Sequence, residues 1–240
     1  GWSLGGMFAL RAAATRPEVV PALVMLCSAP KFVRDAQVSP VGAASVGAAF
    51  VGAATAAMES AGIAAVAAPT KKAAPIDDDG GRYGMSAEVF AGFAQGLRED
   101  YHGTLERFIA LEAFGSDDSR GELRALRAEV FARGEPPPAA LAQGLDLLRS
   151  VDQRPLLPSL AVPSLWIGGR RDRVVDPRAM RAAAARAPGA AFIQVEHGGH
   201  APFLTHADEV ADAVAGFLAA ARAGTGASAL RASGVGTATT

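Results

Sequence analysis

The chain opens Gly1-Trp2-Ser3-Leu4-Gly5-Gly6, and the reading of these six residues decides the fold. They fit G-x-S-x-G, the pattern of a sharp turn between a strand and a helix that lifts a serine hydroxyl above a sheet. The serine of such a turn sits in a strained backbone conformation, and glycines beside it avoid collisions with the neighbouring strand and helix. Gly6 extends that tolerance. The residues that follow read as a helix: Gly5 to Ala14 is rich in alanine and leucine, and Pro17 closes it. Val19 to Leu26 is nearly continuous in apolar residues, which predicts a strand covered on both faces, as in a parallel sheet, ending at a packed Cys27.

A serine so placed needs an imidazole to take its proton and a carboxylate to orient that imidazole, in the chain order serine, acid, histidine. The later part of the chain supplies both. Ser164 to Ile167 reads as a strand, and Gly168-Gly169-Arg170-Arg171-Asp172 directly follows it. That puts the carboxylate of Asp172 just past a strand's C-terminal end, where open α/β sheets build their sites. A turn aspartate bonding its own backbone is the competing reading. Asp176 is the nearest rival, but Pro177 behind it marks it as the cap of a helix from Pro177 to Ala187. A second strand spans Ala191 to Val195, and His200 lies in the loop Gly198-Gly199-His200-Ala201-Pro202-Phe203 before a last helix from Ala207 to Ala221. Of the four histidines, His102 falls in a helical region, His197 lies close to the strand and His206 sits at a helix start. His200 is therefore the expected general base, with a loop histidine of no catalytic role as its alternative.

Strands alternating with helices indicate βαβ units, so the expected fold class is α/β: a three-layer sandwich around a mostly parallel sheet. Between the first strand and the later ones the pattern changes. From Val41 to Ala68 the composition changes sharply to alanine and glycine, and Val-Gly-Ala-Ala recurs at 41, 46 and 51. That composition suits an insertion better than a membrane span, since leucine, isoleucine and phenylalanine are nearly missing. From Ser86 to Ser150 apolar residues recur at helical spacing, broken once at Pro136 to Pro138, which predicts a cap of about four helices. The resulting division is a core of 1–36 and 151–222, a low-complexity insertion at 37–82, a helical lid at 83–150 and a disordered tail at 223–240.

Among 240 residues, 23 are Lys or Arg and 24 are Asp or Glu, so no excess charge advertises nucleic acid or an anionic membrane. One cysteine leaves no internal disulfide and no thiolate metal cage, and suits a reducing compartment, hence the cytoplasm. No metal or cofactor is expected, and neither is a stable oligomer.

Four stretches together carry a resemblance: GWSLGG at 1–6, TLERFIALEAFG at 104–115, GLDLLRSVD at 144–152 and GGHAPFLTH at 198–206. With them the chain resembles the BioH family of pimeloyl-acyl carrier protein methyl ester esterases, within the α/β-hydrolase superfamily. The resemblance implies a cofactor-free carboxylesterase of biotin synthesis with Ser3, Asp172 and His200 as its triad. It implies acyl-chain contacts at Leu4, Phe108, Ile109, Ala110, Leu111 and Glu112, the last replacing the family's usual glutamine. It also implies that Arg107, Arg120, Arg124 and Arg127 meet the acidic carrier protein. Helical spacing agrees with a stripe of Arg120, Arg124 and Arg127, set apart from Leu123, Leu126 and Val130. A merely solvated face, pairing with Glu122 and Asp118, is the other reading.

The family's first strands, with a His-Gly segment supplying a second oxyanion donor, precede the point where this chain starts. A chain of this extent on its own is expected to be inactive or insoluble. Three alternatives therefore stand beside the resemblance: a general short-chain carboxylesterase, another α/β-hydrolase such as an aminopeptidase or C–C bond hydrolase, and an inactive fragment or pseudoenzyme.

Overall fold

The computed structural model describes residues 1–35, 82–112 and 119–223. Three parallel strands run side by side: β1 (Leu23–Leu26), β2 (Ser164–Gly169) and β3 (Ala191–Val195), in the spatial order β1-β2-β3. Leu26 stands opposite Ile167, and Gly169 opposite Val195. On the free edge of β1, Trp2 forms a parallel bridge with Leu26, and the Leu26 and Ser3 amides donate to Gly1 and Leu26 carbonyls at 2.9 and 3.1 Å. The chain's first residues therefore continue the sheet.

β1 is shorter than the sequence predicts. Residues 17–19 make a turn in which the Val19 amide bonds the Arg16 carbonyl, and Pro21 offers no N–H to a ladder, so pairing begins only at Leu23. β2 runs two residues further than expected, because Gly168 and Gly169 stay paired to Gln194 and Val195.

Every position of β2 is buried, as an apolar run between two layers requires. Trp166, with Met25 of β1, faces helix α1 (Leu4–Thr15) and helix α6 (Pro177–Arg186), where Met7, Leu10, Met180 and Leu157 complete one core. Leu165 and Ile167 face the opposite side, against Val210 and Phe217 of the last helix, α8 (Ala207–Arg222). The two-residue period of a strand thus feeds two cores. Burying a side chain such as Phe217 contributes about 1.5–3 kcal/mol.

Between β1 and β2 lie α2 (Ala87–Glu99), α3 (Tyr101–Glu112), α4 (Ser119–Ala132) and α5 (Pro138–Ser150). Ser86 caps α2 by accepting from the Val89 amide at 3.2 Å, and Pro138 occupies the first turn of α5, where a missing N–H costs nothing. Val33, Phe90, Leu97 and Leu145 form a small core that joins these helices to the loop after β1. An isolated Val33–Met85 bridge pins their start, a pairing the helical pattern did not predict. Their end is held by ion pairs of Arg154 with Asp152 at 2.5 Å and Asp35 at 3.1 Å, and of Lys31 with both aspartates. Apart from Arg82 and Ala223, the expected insertion and tail lie outside the described residues. Among those described, no helix is long and apolar enough to cross a membrane.

Candidate active site

Ser3 ends the edge segment and immediately precedes α1, with φ 50° and ψ −127°. A non-glycine residue held there costs about 1–3 kcal/mol and persists only when its surroundings fix it. Two backbone-directed bonds do so: the Ser3 amide donates to Leu26, and the Ser28 hydroxyl donates to the Ser3 carbonyl at 2.7 Å. A Cβ added at Gly6 would lie 2.5 Å from Ser28 Cβ and nearer still to its hydroxyl; one at Gly1 would lie 2.5 Å from the Gly5 carbonyl oxygen. These two glycines leave no room for a side chain. At Gly5 a Cβ meets nothing within 4 Å among the described residues, because Gly5 is exposed at the outer side of the first helical turn. The collision expected from the motif is therefore found at Gly1 and Gly6 but not at Gly5.

Asp172 follows β2 in a tight loop. Its Oδ1 accepts from the Val174 and Val175 amides, both at 2.8 Å, which leaves Oδ2 to accept from His200 Nδ1 at 2.9 Å. An acceptor at that position fixes the histidine proton on Nδ1 and turns the Nε2 lone pair outward. Nε2 lies 3.0 Å from Ser3 Oγ. The His200 side chain is 1% exposed, shielded by the Trp2 ring at 5.5 Å and by the Phe108 ring at 6.4 Å. The Trp2 indole N–H donates to the His200 carbonyl at 2.7 Å, so the residue beside the serine also tethers the histidine loop. The Arg171 amide ties that loop to the aspartate loop through the Gly198 carbonyl at 2.9 Å.

Asp176 caps α6, accepting from the Arg178 amide at 2.8 Å. His102 pairs with Glu135, His197 contacts Arg171, and His206 contacts Thr205, all away from Ser3. In α3, Phe108 approaches His200, Ile109 is buried, Ala110 is exposed and Leu111 is half-buried. A helical period of 3.6 allows 108, 111 and 112 to share a face but not all five residues from 108 to 112. Leu4 opens α1 and sits 3.7 Å from where a Cβ on Gly144 of α5 would lie. Arg107 donates to Thr104 at 2.8 Å and pairs with Asp100 at 3.6 Å. Arg127 pairs with Glu106 on the neighbouring α3, and Arg124 is exposed. The side chains of Glu112 and Arg120 lie outside the described residues.

Sequence reasoning passed over Trp2, Ser28 and Gly169. Trp2 stands inside the hexapeptide, whose pattern points only to the serine and the glycines. The Gly168-Gly169 doublet at a strand end is itself a signal of close backbone approach, and a Cβ at Gly169 would lie 2.5 Å from the Gly198 carbonyl oxygen.

A strained serine at a strand-to-helix turn, bonded to a histidine that is itself bonded to an aspartate, both on loops of a parallel sheet, defines the α/β-hydrolase class, and a family model described as alpha/beta hydrolase fold matches residues 41–207. The chain is 44% identical over 220 residues to the pimeloyl-acyl carrier protein methyl ester esterase of Xanthomonas campestris pv. campestris, spanning 92% of this chain and 70% of that protein. It is also 44% identical to the esterase of that name from Stenotrophomonas maltophilia, over 92% of this chain and 68% of the relative. The chain belongs to this esterase family of α/β-hydrolases. Among solved structures, an esterase from Exiguobacterium antarcticum matches with TM-score 0.65 at 18% identity, covering 90% of this chain and 64% of that one. A bromoperoxidase from Bacillus anthracis matches with TM-score 0.64, also at 18% identity, which shows the shared fold alone.

Proposed function

We propose that this protein is a serine carboxylesterase that hydrolyses the methyl ester of a pimeloyl chain carried on acyl carrier protein, acting as a cytoplasmic monomer. The hydrogen-bonded line from Ser3 Oγ through His200 to Asp172 carries the chemistry of this reading. His200 Nε2 takes the Ser3 proton as the oxygen attacks the ester carbonyl, and the proton then passes to the departing methoxide. Water, deprotonated by the same nitrogen, cleaves the acyl-enzyme and releases the acid. Asp172 holds the Nδ1 proton in place throughout and stabilises the imidazolium. The Leu4 amide, at the N-terminus of α1, is aimed by the helix to receive developing negative charge on the carbonyl oxygen.

The substrate assignment rests on the names of relatives at 44% identity. Helices α2 to α5 then serve as a lid: Phe108 beside His200 and α5 beside Leu4 are suited to an acyl chain lying between lid and nucleophile. Arg107, Arg124 and Arg127, with Arg120 on the same helix as the last two, are suited to an acidic carrier surface. The test is release of methanol from methyl pimeloyl-acyl carrier protein by the protein expressed from its full reading frame. Turnover that disappears in Ser3→Ala supports the reading. Activity confined to small aryl esters would replace it with a general short-chain esterase.

A further inference from the structure

Beside the imidazole lies the thiol of Cys27. This residue directly follows β1, the strand between the segment that leads into Ser3 and the strand that leads into the Asp172 loop, and has a φ of 41°. Its Sγ–H donates to the Gly199 carbonyl at 3.6 Å, and the residue is fully buried. A sulfur, a carboxylate oxygen and an imidazole nitrogen of Cys27, Asp172 and His200 all lie within 4.8 Å of one another. Tetrahedral zinc holds such donors about 3.3–3.6 Å apart, so the sulfur closes in by up to about 1 Å while Nδ1 and Oδ2, now 2.9 Å apart, open slightly to admit the ion.

We infer that Cys27, Asp172 and His200 form an inhibitory site for a thiophilic divalent cation such as Zn²⁺ or Cd²⁺. Binding requires the Nδ1 lone pair. The Nδ1 proton therefore relocates to Nε2, and the thiol proton leaves to solvent as the metal–sulfur bond forms. His200 then presents an N–H to Ser3 instead of a lone pair and is unable to take the serine proton. Charge permits the exchange: the carboxylate and thiolate together neutralise the dication. Because all three groups are enclosed, onset is slow and follows opening of the loop rather than diffusion.

The loss of activity rests on the assignment of His200 as base, whereas metal binding does not, so two readouts separate them. Aryl ester hydrolysis is followed during incubation with Zn²⁺ or Cd²⁺ in wild type, Cys27→Ala and Cys27→Ser, each against its own metal-free rate. Time-dependent inhibition, reversed by EDTA and weakened at least tenfold in both variants, is the expected result. In Ser3→Ala, which needs no activity, Cd²⁺ should raise the ultraviolet cadmium–thiolate band at one ion per chain, and the band should vanish in Ser3→Ala/Cys27→Ala. Equal inhibition of all three proteins, or no thiolate band in Ser3→Ala, overturns the site.

Discussion

Replacing Gly169 by alanine tests how tightly the sheet sets the catalytic distance. Gly169 is the last residue of β2, paired with Val195, and a Cβ there would lie 2.5 Å from the carbonyl oxygen of Gly198, 2.7 Å from its carbon, and closer still to the carbonyl oxygen of Gly199. All three atoms are backbone, so no side chain can swing aside. Carbon and carbonyl oxygen sit at roughly 3.3–3.6 Å, and the loop before His200 must therefore retreat by at least about 1 Å, and further at the Gly199 carbonyl. The Nε2–Oγ hydrogen bond is 3.0 Å long, and the same retreat takes it beyond useful length. A displacement of about 1 Å at a reacting group costs on the order of a hundredfold in rate. Overpacking of this kind also costs about 1–3 kcal/mol, which lowers the melting temperature by roughly 2–4 °C for each kcal/mol. The assay compares kcat on an aryl ester with thermal unfolding followed by circular dichroism. Expected is a kcat reduced about a hundredfold in a protein that still unfolds cooperatively a few degrees lower. Wild-type kcat in Gly169→Ala would show that the loop accommodates the methyl group without moving the imidazole, and the reasoning would fail.

Other substitutions probe separate links. Asp172→Asn keeps the size but offers an amide where the Nδ1 proton needs an acceptor, so kcat should fall by about 10³–10⁴ with little change in KM. Trp2→Phe removes the donor to the His200 carbonyl while keeping an aromatic ring, and a net hydrogen bond of about 1 kcal/mol predicts a roughly fivefold lower kcat. Gly144→Ala, where the new Cβ makes an ordinary 3.7 Å contact with Leu4 inside α5, should raise stability by about 1 kcal/mol in urea unfolding. Arg154→Met addresses pH. Asp35 is held below the usual carboxylate range by the Lys31 hydrogen bond and by Arg154; in Asp152 burial pushes upward, but Arg154 outweighs it. Depressed carboxyls stabilise the fold above an ordinary carboxylate pKa of about 4, and that contribution is lost as pH falls through the lower folded values. The variant's deficit, about 1–2 kcal/mol at pH 7 because the cluster is partly solvated, should therefore shrink steadily toward pH 2.

The structure brings Ser3, Asp172 and His200 together, and each is announced locally in the sequence: a glycine-flanked serine before a helix, an acid just past an apolar run, a histidine between a strand and a helix. Their distances and orientations are not, because register between strands is a tertiary fact. Asp176 was separable from Asp172 by Pro177 alone, and its side chain does cap α6. The front of β1 was misjudged because apolar content over Val19 to Leu26 outweighed Pro21, whose missing N–H decides where pairing begins. Five consecutive residues from 108 to 112 were assigned to one acyl chain through family resemblance, whereas a helix turns Ala110 to solvent. Cys27 was read as packing, and only the crossing of three loops reveals what it packs against.

The order of strands makes the triad an internal gauge of alignment. The aspartate and histidine hang from adjacent ladders, while the serine enters beyond β1, one ladder further out. A slip of β1 past β2 by a single position would move Ser3 about 3.3 Å and silence turnover, yet leave the aspartate–histidine pair intact. Partial unfolding from the serine's side would thus erase activity and withdraw the Trp2 ring from His200 while the aspartate–histidine hydrogen bond remained, letting two simple signals tell which seam of the sheet parts first.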